Sequence, residues 1–120
     1  MSVEKNYYVI VGYDLTKYVT PKYEDWRWTP EGEEYTNQHT KGNIQIFDDP
    51  MDSSYLYLGY ILAEGDEYYF KTAKWNPIML LSDEIKIAVT INLDDLITMG
   101  ILSPEAYSAD YQMIVFEECT

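Results

Sequence analysis

A chain of 120 residues, 47% hydrophobic and 16% aromatic, is long enough to bury a core unaided and too apolar to stay disordered. Twenty-one acidic residues against eight basic ones leave a net charge of −13, which weighs against direct nucleic-acid binding and against docking on an anionic membrane. One cysteine, Cys119, excludes an intrachain disulfide and any Cys-rich metal site, and points to a cytoplasmic setting.

The first six residues lack a basic segment followed by an apolar run, so no secretory leader is expected. No apolar stretch approaches membrane-spanning length. Asn6 to Tyr13 is apolar, β-branched and aromatic, and predicts a central first strand. Gly12 within it marks a bulge or a close backbone approach.

Asp14 to Lys41 is the least regular part and holds Trp26 and Trp28. Thr20-Pro21 and Thr29-Pro30 each place a capping residue before a proline at the first helical position, with acids following. Short helices over 21–26 and 30–37 are therefore expected.

Residues 42–70 read as a three-strand meander around which the rest is organised. Ile44 and Ile46 alternate with Asn43, Gln45 and Phe47, the period of a strand. Asp48-Asp49-Pro50-Met51-Asp52-Ser53-Ser54 ends it. Tyr55 and Tyr57 then share one face of a second strand, with Leu56 and Leu58 on the other. Gly59 suggests a bulge or a close backbone approach, and a bulge would leave the sides of Tyr60 and Ile61 open. Gly65-Asp66 suits a two-residue hairpin turn, with 68–72 as the return strand.

Ala73 to Pro77 breaks regularity, and Ile78 to Leu81 is too short to type. In 84–92, Ile85, Ile87, Val89 and Ile91 alternate with mostly polar residues, and the pattern predicts an amphipathic strand. Leu93 to Gly100 predicts a short helix stopped by glycine. Ser103-Pro104 starts another. Tyr111 to Phe116 predicts the last strand. The whole is expected to be one domain, 1–120, of the α+β class: a mainly antiparallel sheet of about six strands with short helices.

No catalytic constellation emerges, and neither cofactor nor metal is expected. His39 is the only histidine and has no oriented partner in sequence. Asp48, Asp49 and Asp52 with Ser53 lack cation-loop spacing and read as a solvated turn. Glu117 and Glu118 would hold the Cys119 thiol protonated.

Gly12-Tyr13-Asp14-Leu15-Thr16, Gly42 to Met51 and Tyr55 to Tyr68 together resemble small, acidic accessory proteins of tailed bacteriophages, over roughly residues 6–72. The resemblance implies a viral protein made in the host cytoplasm and carries over no catalytic residue.

Charge and interleaved aromatics point to an interaction protein that binds and inhibits a host protein with a basic surface. A defence nuclease or another nucleic-acid-handling enzyme fits, with carboxylates taking the place of phosphates. The candidate surface is Glu24, Asp25, Glu31, Glu33 and Glu34 with Asp48, Asp49 and Asp52, anchored by Trp26, Trp28 and Tyr35. The alternative is a small-molecule or nucleotide site lined by Tyr and Trp. Self-pairing of an edge strand into a homodimer also stays open.

Overall fold

The computed structural model describes residues 5–36, 43–49, 55–66, 70–71 and 83–119. In chain order these form β1 (Lys5–Asp14), a 3-10 turn (Thr16–Tyr18), α1 (Lys22–Arg27), α2 (Pro30–Thr36), β2 (Ile44–Asp48), β3 (Leu56–Asp66), β4 (Phe70–Lys71), α3 (Asp83–Thr98), a second 3-10 turn (Pro104–Ser108) and β5 (Gln112–Cys119). His39, Asp52 and Trp75 lie outside the described residues, as do the turn at 50–54 and the segment 72–82.

The class is α+β and the sheet is antiparallel throughout. Its order is β2-β3-β1-β5, with the two-residue β4 adding to β3 beyond the end of β2. The expected count of about six strands is not met. The main reason is the stretch 84–92, which is helical.

That stretch satisfies two periods at once. Isoleucine and valine fall at every second position, as a strand requires. Ile85 and Val89 also continue into Leu93 and Leu96 at helical spacing, and these four are the residues buried in α3. Ile87 and Ile91 remain 58% and 56% exposed. The helical penalty of a β-branched residue is below about 0.7 kcal/mol. Burying each of those four side chains returns roughly 1.5–3 kcal/mol, so tertiary packing overrides local preference. Asp83 and Glu84 favour the helix start from its first turn. The Tyr13 hydroxyl bonds Thr90 Oγ1 across 2.8 Å and ties the helix to β1.

The expected stop holds. Gly100 takes a φ of 79°, and its N–H and that of Ile101 donate to the carbonyls of Ile97 and Leu96, each at 3.0 Å. Thr20 is not the cap expected of it. Its hydroxyl donates instead to the carbonyls of Gly100 and Ile101, and α1 starts one residue later, after Pro21. Thr29 does cap α2, accepting from Gly32 N–H at 3.2 Å. Ser103 likewise accepts from Glu105 N–H in the second 3-10 turn.

Both faces of the sheet are apolar. On one, Val11, Tyr13, Ile46, Leu58 and Leu62 pack against Val89, Leu93 and Leu96 of α3 and against Tyr23 of α1. On the other, Ile10, Phe47 and Ile61 are buried beneath Tyr8, Tyr55, Tyr57 and Phe116. Gly12 and Gly59 face each other between β1 and β3, where a Cβ on Gly12 would lie 2.0 Å from the Leu58 carbonyl oxygen. They mark a close backbone approach. The bulge lies further along: Val9 pairs with Ala63 and Ile10 with Ile61, so Leu62 is the extra residue. Tyr60 therefore keeps the face of Leu58, and Ile61 that of Tyr57. The strand β3 also runs through Gly65 and Asp66, where a hairpin turn was expected, because Tyr7 and Asn6 of β1 pair with them.

The helical assignment of 84–92 is tested by two charges. Val89→Asp, at a fully buried position, should cost more than about 4 kcal/mol in urea unfolding, whereas Ile87→Asp should stay within about 0.5 kcal/mol of the parent. A strand would bury both positions and penalise both substitutions alike.

Candidate functional site

The chain has a single arginine, Arg27, set between Trp26 and Trp28 at the end of α1. Its guanidinium reaches the last residue of β2. Nε donates to Asp48 Oδ2 at 2.5 Å and Nη2 to Oδ1 at 3.2 Å, a two-point grip on one carboxylate. The Tyr23 hydroxyl, one helical turn earlier, donates to the same Oδ2 at 2.5 Å. Asp48 is only 7% exposed. A buried carboxylate without such partners would cost several kcal/mol, so the three groups stand or fall together.

This clamp sorts the aromatic residues of the helical arm. Trp26 packs against Tyr23 and Tyr35, with ring centroids 6.0 and 5.4 Å apart, and belongs to the core. Tyr35 is buried as well. Trp28 is 63% exposed, with the Arg27 guanidinium 4.4 Å from its ring centre. Of the three aromatic anchors read from the sequence, Trp28 is the one that faces solvent.

Trp28 stands in a groove of about 670 Å³ between α1, the turn before it and the ends of β2 and β3. Glu24, Asp25, Asp48 and Asp49 line the groove together with Tyr23 and Tyr55. Asp48 is paired with Arg27, and Glu24, Asp25 and Asp49 add further carboxylates to the lining. Glu31, Glu33 and Glu34 are exposed on α2, outside the groove lining. The proposed acids thus divide into a groove set, an α2 set, the internally paired Asp48, and Asp52 beyond the described residues. Tyr23, Arg27 and Tyr55 were missed by sequence reasoning. The signal for Arg27 was present: a lone guanidinium between two indoles, followed by acids on a nearby strand end.

Burial raises the tyrosines around this end of the sheet. Tyr8 is pushed up to about 12, by desolvation first and then by Glu118 and Glu64. Tyr23 is raised further, by burial and then by its bond to Asp48, and Tyr55 is raised by burial with Glu118 and Asp49 adding. Neutral tyrosine is thus the form the fold holds.

Among the described residues no cluster of His, Cys, Asp and Glu has the arrangement of a metal site, and no helix is long and apolar enough to cross a membrane. No family model matches the chain, and no curated protein or solved structure matches it either.

The raised tyrosines set an alkaline limit. The unfolded chain releases phenolic protons near pH 10, whereas the folded chain retains them to about 12 and beyond, so stability is full below pH 10 and falls as pH rises above it. Tyr23→Phe should cost about 1.5–3 kcal/mol at neutral pH through the lost hydrogen bond to a charged group, and should flatten the decline above pH 10. Urea midpoints across pH 8 to 12 measure both effects.

Proposed function

We propose that this chain is an acidic interaction protein that captures a basic surface of another protein, with Trp28 as its aromatic anchor. One observation carries the reading: an indole 63% exposed in a groove lined by Glu24, Asp25 and Asp49. Exposed tryptophan is uncommon at a surface without a binding role and is enriched at the centres of interfaces. The surrounding carboxylates steer a cationic partner toward it and strengthen cation–π contact with the ring. Arg27, already lying against one part of the ring, is the intramolecular example of the chemistry. Glu31, Glu33 and Glu34 extend the acidic surface along α2.

The partner class follows from the charge. A protein that grips nucleic acid presents lysine and arginine in a groove, and an array of carboxylates competes for that groove. The reading is therefore of an inhibitor of a nucleic-acid-handling host protein, such as a defence nuclease, encoded by a phage as the resemblance of residues 6–72 implies. A second reading is favoured by the groove itself. About 670 Å³ lies within the range of small-ligand pockets, and Tyr23, Trp28 and Tyr55 supply aromatic walls.

The first reading is tested by affinity capture from host lysate with three baits: the parent, Trp28→Ala, and a five-fold reversal of Glu24, Asp25, Glu31, Glu33 and Glu34 to Lys. A single stoichiometric protein should be held by the parent, weakened at least tenfold by Trp28→Ala, and lost with the reversed bait or at high salt. Equal capture by parent and reversed bait would refute it. For the second reading, a metabolite and nucleotide panel should contain a ligand that raises stability by roughly 2.7 kcal/mol at about 100 times its Kd. A flat response across the panel counts against it.

A further inference from the structure

The strand β5 closes the sheet at the side opposite β2, and no described strand pairs with its outer edge. It pairs with β1 in unbroken register from Lys5↔Cys119 to Gly12↔Gln112. An edge of this kind offers a row of backbone donors and acceptors to any strand that reaches it. Natural edges are blunted with charged side chains, proline, bulges or short length; residues 112–116 carry none of these, and the charges of Glu117 and Glu118 stand only at the end of the strand. The strand also carries exposed apolar side chains. Val115 is 71% exposed, the highest value among the large hydrophobic residues described, and Met113 is 50% exposed.

We propose that β5 pairs antiparallel with β5 of a second copy, about a two-fold axis at Val115, to make one continuous sheet across a homodimer. The register follows from side-chain chemistry. With the axis there, Val115 meets Val115 of the partner subunit and Ile114 meets Phe116 of the partner subunit. Gln112 meets Glu118 of the partner subunit, so its amide N–H can donate to the carboxylate. Met113 lies opposite Glu117 of the partner subunit, and no like charges face each other. Moving the axis to Ile114 would bring Asp110 against Glu118 of the partner subunit. Moving it to Phe116 would set Ile114 against Glu118 of the partner subunit. The Val115 register pairs residues 112–118 along their whole length and avoids both conflicts.

Salt separates this contact from partner capture. Two copies each of charge −13 repel, so screening should tighten the dimer, whereas it should weaken a basic partner's grip on the groove.

The test uses the full chain with Cys119→Ser. Light scattering at about 100 µM protein, where even a micromolar Kd is saturated, should return twice the chain mass of 14.1 kDa. Adding Val115→Lys should return the single-chain mass, and the exposure of that side chain makes misfolding a poor explanation of the change. Opposed Cα atoms in an antiparallel pair lie about 4.5–5.5 Å apart, within disulfide reach. Val115→Cys should therefore cross-link to near completion under mild oxidation, and Met113→Cys should not. A single-chain mass at every salt concentration would overturn the proposal. So would a dimer that survives Val115→Lys, or equal cross-linking at 113 and 115. Capture of a partner through Trp28 should persist in Val115→Lys, so the two readings fail separately.

Discussion

The Asp48 carboxylate joins the helical arm to the sheet, and the groove owes its shape to that junction. The strand β2 would otherwise end in a buried negative charge. Arg27 and Tyr23 satisfy it from α1, a helix of only six residues that could not hold itself in water. Once the guanidinium is fixed on Asp48, the residue that follows is fixed too. Trp28 is left outside, against Arg27, while Trp26 is left inside, against Tyr23 and Tyr35. One ion pair thus sets the floor of the groove and decides which indole reaches solvent.

The sheet explains why such an arm is affordable in a small chain. Its two central strands are apolar on both faces, and the close approach at Gly12 and Gly59 lets β1 and β3 pair along nearly their whole length. The described helices cover one face. On the other, Tyr8, Tyr55, Tyr57 and Phe116 cover Ile10, Phe47 and Ile61 with their own rings. Tyrosine suits that role because its ring buries apolar area while its hydroxyl meets water or a carboxylate. Three of the thirteen tyrosines, Tyr8, Tyr55 and Tyr57, serve this role.

Legibility in the sequence followed the locality of the signal. The strands β1, β2 and the first half of β3 were readable because alternation is a local signal. So were the caps at Thr29 and Ser103 and the stop at Gly100. The helix α3 was not readable over 84–92, because its isoleucines fit both periods and only the packing of Val89, Leu93 and Leu96 selects one. The extension of β3 through Gly65 and Asp66 depends on pairing with Asn6 and Tyr7, nearly sixty residues away, which no turn propensity reveals. At the candidate site the acids were visible as composition, but their division was not. Asp48 is set apart by Arg27, twenty-one residues earlier, and by Tyr23, which both point at it. Surface anchor and core tryptophan are two positions apart at the end of a six-residue helix.

Capture of a basic partner requires above all an exposed indole in a negative field. Collisional quenching of tryptophan fluorescence by caesium and by iodide, compared between the parent and Trp28→Phe, reads that property without any partner. The component lost with Trp28→Phe should be quenched strongly by the cation and weakly by the anion, with the difference fading as salt rises. Equal quenching by both ions, or a preference for iodide, would contradict a groove built to receive positive charge.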